Sequence, residues 1–355
     1  MNRVIVFGGY GVFGSHIARA LVEQGIPTTI AGRDPVRADQ FACSLGDRAR
    51  GKGADLGSMQ SCLDAIQGHA VAVHAAGPFG ALDDTLLKAC AASQCHYVDI
   101  ADDRGYAAKV LGLSALFSER GLAAVYGCSS LPGISGALGL LAYEGATSPV
   151  SRVRSTLFIG NRNPKGIAAI RSLLGGLGQP IAAPQGTLRG YRDREVVELP
   201  PPFGGRGVFN FDSPDYDLFG PLFDAKEVVV KVGFELRTAT YAFAALSYLG
   251  ARRGAWLARI IEFTSRGLGW LGCSGGAVMT ELLLENGAKR VGSIGGARDG
   301  QRMAALPAAM VAASLATAPP LRTGSCTAYE FLGAKPLLDQ LVRAGYSLSI
   351  GGAAP

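Results

Sequence analysis

Three glycines spaced G-x-G-x-x-G, directly behind an apolar run, constrain this chain more than any other feature. Residues 4–14 read VIVFGGYGVFG, so Val4, Ile5 and Val6 lead into Gly9, Gly11 and Gly14, and an amphipathic stretch follows. A strand, a glycine turn and a helix in that order form a dinucleotide-binding unit. The first glycine lets the chain turn out of the strand, the second lets the backbone approach a pyrophosphate, and the third lets the helix pack closely. Free N–H groups at the helix start, around Val12 and Phe13, then face the phosphates. Gly8 offers a second register, Gly8, Gly11 and Gly14, so the contact made by each glycine stays open at this stage.

Phe13, Ile17 and Leu21 recur every four residues and define the sheet-facing stripe of the first helix. Gly25 and Pro27 end it. The next strand, 28–31, runs into Gly32-Arg33-Asp34-Pro35. A carboxylate at this strand end would bind the ribose 2′-OH of NAD and repel a 2′-phosphate. Arg33 stands there instead, 22 residues beyond Gly11, where a guanidinium reaches a 2′-phosphate. Asp34-Pro35 reads as a helix N-cap with proline at the first helical position. The pattern therefore favours NADP(H) over NAD(H).

The 355-residue chain is long enough for two domains. Its net charge of +6 is dispersed, without a basic block or a zinc-finger spacing, which argues against nucleic acid as a partner. The seven cysteines are scattered, and Cys90 and Cys95, the one close pair, suit no common metal site. They read as reduced thiols of a cytoplasmic protein, with no metal. The chain enters a strand at once, so no signal peptide is expected.

Strands at 70–75, 97–101 and 122–126 alternate with helices at 34–45, 58–67, 82–92 and 103–120. This alternation predicts a Rossmann-type, doubly wound parallel sheet. Ligands of such sheets bind outside the carboxyl ends of the strands. That rule selects Asp55 ahead of the third helix, the run Ala76-Gly77-Pro78-Phe79, the segment 99–103, and the loop containing Ser129. Asp102 and Asp103 sit at a strand end, where one could bind a substrate ammonium or handle a proton, while Asp103 also reads as a helix cap. Asp99 reads either as a proton-handling group or as an inward residue holding a loop, and Tyr97 is a second such candidate. His74 reads as a satisfied core residue.

The glycine loop, HAAGPF, LLKACAASQCHYVDIADD and YGCSSLPGISG together resemble the cofactor domain of saccharopine dehydrogenase-like oxidoreductases. The resemblance covers residues 1 to about 136 and returns at 306–315, 324–332 and 336–344. It implies NAD(P)-dependent hydride transfer, with Gly77-Pro78-Phe79 along the cofactor and the end of Tyr97-Val98-Asp99 beside the nicotinamide. Lipid-reducing members of the family follow the YVD strand with Gly-Glu. This chain has Ile100-Ala101-Asp102-Asp103, which argues against lipid-type chemistry.

Residues 137–302 read as an α+β substrate and dimerisation domain, giving a homodimer. The first domain then comprises 1–136 and 303–355, the C-terminal helices returning to it. Within the second domain, a strand at 153–159, a strand pair within 188–199, a strand at 227–236 and a hairpin around Asn286-Gly287 are expected. Asn161, Arg162 and Arg171 are candidates for gripping a carboxylate or phosphate. The segment 240–272 holds both tryptophans and several arginines without an apolar run long enough to span a bilayer. It suits a pocket wall or a dimer interface, and less well a peripheral membrane contact. The whole reads as an NADP-dependent oxidoreductase acting on a small organic substrate at C=N, C=O or an activated C=C. The alternatives are a non-catalytic NADP(H) sensor or scaffold, and a membrane-surface reductase of a lipid-like substrate.

Overall fold

The computed structural model describes residues 2–164, 166–248 and 270–353. The chain divides into two compact units, one comprising residues up to Ser129 with Ala304–Gly333, the other Ser130–Met303 with the residues from Ala334 onward.

In the first unit β1 (Val4–Phe7), β2 (Thr28–Gly32), β3 (Ala49–Gly53), β4 (Val71–His74), β5 (His96–Asp99) and β6 (Ala123–Tyr126) alternate with helices, and β15 (Gly324–Thr327) completes the sheet. The order is β15-β6-β5-β4-β1-β2-β3 with every pairing parallel. Strands buried on both faces must be apolar almost throughout, as VIVF and VAVH are. The helix α1 (Val12–Glu23) buries Ile17, Ala18 and Leu21, whereas Phe13 at its start stays half-buried. Asp34 caps α2 (Pro35–Leu45), accepting the N–H of Arg37, with proline in the first turn as expected. Ser58 caps α3 (Met59–Ile66) in the same way, and α4 (Thr85–Ala92) precedes β5. The single helix expected over 103–120 is two, α5 (Arg104–Gly112) and α6 (Ser114–Glu119), which meet at Leu113. The strand β3 was not expected. Its sequence, ARGKG, has no β-branched residue, and only its position at the sheet edge makes it a strand.

The second unit opens with α7 (Ser135–Tyr143) and β7 (Val150–Ile159), then α8 (Ile167–Gly175), β8 (Pro180–Ala183), β9 (Gly186–Arg189), β10 (Glu195–Leu199), β11 (Gly204–Asn210), α9 (Asp215–Phe223), β12 (Glu227–Phe234) and α10 (Arg237–Tyr248). The strands β13 (Gly276–Leu284) and β14 (Lys289–Gly296) follow, then α11 (Gly300–Thr317), within which the unit boundary falls. After β15 and α12 (Ala328–Leu332) in the first unit come α13 (Ala334–Arg343) and β16 (Ser347–Ala353). The sheet order is β10-β11-β12-β7-β13-β14-β16, with β12 and β7 parallel and the other pairs antiparallel. Glu195 on β10 bonds Arg152 and Arg154 of β7, so the β10–β11 hairpin folds across that face. Beneath it Phe158, Val197, Leu199, Phe203, Val208, Ala277 and Met279 form one core. The opposite face meets α7, where the Thr280 hydroxyl donates to the Ser135 carbonyl.

Three sequence expectations are corrected here. Residues 334–355 were expected in the first domain, but β16 pairs along β14 from Ser347 to Ala353, which places α13 and β16 in the second unit. The boundary falls after Ser129 rather than after Gly136, because the buried segment Ser130–Ile134 runs directly into α7. The strands within 188–199 do not pair with each other: β9 pairs with β8, and β10 with β11.

Candidate functional site

The strand order reverses between β1 and β4, and the glycine loop lies at the carboxyl end of that junction. Gly8 takes φ +75°, and a Cβ there would lie 2.9 Å from the Ala75 carbonyl carbon and from Ala76 Cα. A Cβ on Gly9 would lie 2.7 Å from the Val6 carbonyl oxygen, and one on Gly14 only 2.2 Å from that of Gly8. Gly8 makes the left-handed turn against the β4 loop, Gly9 backs onto β1, and Gly14 seats α1 on the loop. Gly11 is the helix N-cap in extended conformation, and no side chain caps α1. The first-turn N–H groups, including those of Val12 and Phe13, are therefore directed at the space above the loop.

Arg33 is exposed at the end of β2. The Asp34 carboxylate is engaged in capping α2. Two further residues were missed in the sequence. Tyr10, inside the glycine loop, lies against Gly32, where a Cβ would come within 2.4 Å of its ring, and its hydroxyl accepts the Asp34 N–H at 3.1 Å. The Arg37 guanidinium lies 4.8 Å from the centre of that ring. Arg33 and Arg37 thus flank the β2 end, and among the described residues neither forms an ion pair with a carboxylate. The spacing R-x-x-x-R, with the second arginine in the first turn of a helix, was the available signal. Asp55 is exposed in the loop after β3 and folds its own turn, accepting the Gly57 N–H at 3.0 Å.

The loop after β4 carries Ala76, Gly77 and Pro78 toward solvent and turns Phe79 inward. The Phe79 ring packs edge-on to His74 at 4.8 Å and Tyr106 at 5.1 Å. His74 Nδ1 lies 3.0 Å from both the Tyr97 and Tyr106 hydroxyls, which are 3.0 Å apart. Burial pushes the His74 imidazole down to about 3 and the Tyr97 phenol well up, so the cluster is neutral at working pH. The Asp99 side chain is fully buried, and its Oδ1 accepts the N–H groups of Ala101 at 2.9 Å and Gly127 at 2.8 Å. Burial raises its carboxyl to about 6, against the opposing pull of those two hydrogen bonds.

For Asp99 the structure shows the inward, loop-holding placement that the sequence also offered, and Tyr97 is buried beside it. Their side chains have zero exposure, and their hydroxyl and carboxylate groups hold neighbouring loops and aromatic rings. Asp103 caps α5 through the Tyr106 N–H at 2.8 Å and lies against Gly80 of the β4 loop. Asp102 is half-buried in the same strand-end loop, and Ser129 is half-buried beyond β6 with its N–H on the Gly127 carbonyl.

In the second unit Asn161 is a brace. Its backbone N–H meets Glu235 at 2.8 Å and its amide donates to the Leu271 carbonyl. Arg162 and Arg171 are exposed. Of the segment 240–272, residues 249–269, with Trp256 and Phe263, lie outside the described residues. The part described, in α10, buries Thr240, Phe243, Ala244 and Ser247, and Phe243 joins a core with Ile170, Tyr191 and Val232. Among the described residues no helix is long and apolar enough to cross a membrane.

Residues 4–125 match the family of saccharopine dehydrogenase NADP binding domains. Over its whole length the chain superimposes on all of apo saccharopine dehydrogenase (L-Glu forming) from Saccharomyces cerevisiae, with a TM-score of 0.69 at 12% identity. A short-chain dehydrogenase/reductase from Mycobacterium ulcerans is similar over 35% of this chain and 66% of its own, at 16% identity and a TM-score of 0.31. No curated protein matches the chain by sequence.

Proposed function

We propose that this chain, whose N-terminal domain belongs to the saccharopine dehydrogenase NADP-binding family, reduces or oxidises a small organic substrate at C=N, C=O or an activated C=C with NADP(H). The observation that carries the reading is the cradle at the β1–β4 junction. There Cβ atoms on Gly8, Gly9 and Gly14 would collide with backbone, an uncapped helix start faces the loop, and Arg33 and Arg37 stand where the 2′-phosphate would lie. The residues therefore fit the dinucleotide. Gly8–Gly14 would hold the pyrophosphate, Arg33 and Arg37 the 2′-phosphate, and Ala76–Phe79 and Ser129 the nicotinamide half. When bound, the cofactor supplies or accepts a hydride.

The chain's own residues have three tasks in this reading. The His74, Tyr97 and Tyr106 cluster fixes Phe79 and with it the loop that borders the cofactor. Asp99 ties the ends of β5 and β6 together through Ala101 and Gly127. Asp102, half-buried at the same strand end, is the residue we assign to holding a substrate ammonium or moving a proton. Calorimetric titration with NADPH and NADH, followed by turnover assays on imines, keto acids and enones, tests the whole. NADPH-selective binding with turnover that Asp102→Asn lowers at unchanged NADPH affinity is the expected result. Binding without turnover of any class would leave a cofactor sensor, and no binding of either nucleotide would end the proposal.

A further inference from the structure

In a doubly wound sheet the ribose 2′ position of a dinucleotide lies near the end of the second strand, and an acidic side chain from that region ordinarily reads it. Here β2 ends in Gly32, and the space a side chain would fill is taken by Tyr10 from the glycine loop. A Cβ on Gly32 would lie 2.4 Å from Tyr10 Cε1 and 2.7 Å from its hydroxyl oxygen, so no larger residue fits while the ring stays. The ring is firmly seated. The Gly8 and Gly9 N–H groups both donate to the Ala31 carbonyl, at 2.8 and 3.2 Å, and tie the loop to β2. The ring packs against a core of Ala18, Ile30, Ala38 and Ala42, and the Arg37 guanidinium covers it. The Asp34 N–H donates to its hydroxyl at 3.1 Å. The Asp34 carboxylate, the acid of this strand end, accepts the Arg37 N–H and is thereby turned to the helix.

A phenol is at once donor and acceptor. With the Asp34 N–H on its oxygen, the Tyr10 hydroxyl keeps its own proton, which meets no acceptor among the described residues. We propose that Tyr10 is a specificity-determining residue of the cofactor site, its hydroxyl donating to the 2′-phosphate of NADP(H). This role presupposes the NADP(H) reading above and adds to it an uncharged donor held in place by packing. A hydrogen bond to a phosphate oxygen is charge-assisted and roughly twice as strong as one to a neutral oxygen, so a donor here favours the 2′-phosphate over a 2′-hydroxyl. The Asp34 N–H, by donating to the same oxygen, polarises the phenol and makes its proton a better donor. The arginines act differently. Arg33 and Arg37 are exposed, so their attraction for a phosphate is screened by salt and costs side-chain entropy. The Tyr10 ring is already fixed, and a phenol carries no charge at neutral pH. Selectivity in this site therefore has a salt-sensitive part, from the arginines, and a salt-resistant part, from Tyr10.

Tyr10→Phe removes the oxygen and leaves the ring on Gly32 and under Arg37, so the fold is retained. Asp34 is half-buried, and water can take up its N–H. Calorimetric titration of the full chain and of the variant with NADPH and with NADH, at about 0.05 M and about 0.5 M sodium chloride, reads the effect. Tyr10→Phe should weaken NADPH about 10-fold and NADH by less than about twofold, the scale of one charge-assisted hydrogen bond lost from one of the two nucleotides. That factor should hold at high salt, while the factor for Arg33→Ala shrinks. Unchanged NADPH affinity overturns the proposal. So do equal losses for both nucleotides, which would make Tyr10 a brace of the loop. A Tyr10→Phe factor that shrinks with salt as far as that of Arg33→Ala overturns the role of an uncharged donor. The wild-type titration keeps the two readings apart. NADPH-selective binding that Tyr10→Phe leaves intact removes Tyr10 alone, whereas a wild-type chain that does not prefer NADPH removes the 2′-phosphate site and Tyr10 with it.

Discussion

The two sheets have the same number of strands and are built by opposite rules. In the first, every strand up to β6 is separated from the next by one or two helices, and all pairings are parallel. In the second, β7 pairs with β12, which begins 68 residues after β7 ends, and with β13, which begins 117 residues after it. The first sheet is a repeated local unit whose carboxyl ends collect a site. The second is stitched by long-range pairs and stabilised by side chains from distant segments. The ion-pair cluster on its hairpin-covered face shows the consequence. Lys231 is 1% exposed, and Glu195 bonds it at 3.0 Å while also meeting Arg152 and Arg154.

The sharpest way to separate the two regions is to remove Glu195. Glu195→Ala leaves a buried ammonium beside two arginines, and breaking such a cluster from one side costs about 3 kcal/mol. Denaturant unfolding should show that loss, while NADPH affinity, which rests on the first unit, should hold. An equal loss of NADPH affinity would show that the cofactor grip depends on the second sheet, and no loss of stability would show that Glu195 contributes nothing net.

The next effect is confined to the first unit. Arg33→Ala should weaken NADPH by about 10-fold or more, the scale of one charge-assisted phosphate contact, and leave NADH nearly unchanged. Arg37→Ala should do the same to a smaller extent, roughly threefold, because its guanidinium is held over the Tyr10 ring. Calorimetry with both nucleotides reads the two variants side by side. Equal losses for NADPH and NADH would remove the 2′-phosphate role from either residue.

What could be read in advance follows the same division. The glycine loop, the Asp34 cap and the strands β1, β2, β4, β5 and β6 of the first sheet were legible because each is specified by neighbours a few residues away. Asp103 was legible as a cap for the same reason. The strand β3 was not, since ARGKG becomes a strand only by lying beside β2. Nor was the place of β16, whose partner β14 lies some fifty residues earlier in the chain. Within the site, Arg33 could be inferred from its distance to Gly11. Arg37 carried only the signal of its R-x-x-x-R spacing, and its meeting with Tyr10 could not be inferred, because it depends on the loop and the α2 start folding against each other. The inward placement of Asp99 was one of the two readings its strand alternation left open, whereas the partners of Tyr97 were hidden, as alternation along a strand gives a face and not the partners on it.

The smallest effect distinguishes two carboxylates that burial raises alike to about 6, one in each unit. A folded-state value above the unfolded one means the native state binds the extra proton, so stability falls as pH rises between about 4 and about 6 and the loss persists above. Asp99 and Asp215 should both contribute to that slope. Their hydrogen bonds differ, however. Asp99 receives the N–H groups of Ala101 and Gly127 on one oxygen, which an asparagine carbonyl can replace. Asp215 receives the hydroxyls of Ser135 and Ser213 on two different oxygens, and an asparagine offers only one acceptor. Asp99→Asn should therefore flatten the slope between pH 4 and 6 and raise stability at pH 7 by about 1–2 kcal/mol, within the limit set by a shift of roughly two pKa units. Asp215→Asn should flatten the same slope without that gain, because one hydroxyl loses its acceptor inside the second unit. Thermal unfolding across pH 4 to 8 measures both variants. A stabilised Asp215→Asn, or a destabilised Asp99→Asn at pH 7, would mean that hydrogen-bond geometry does not separate the two carboxylates.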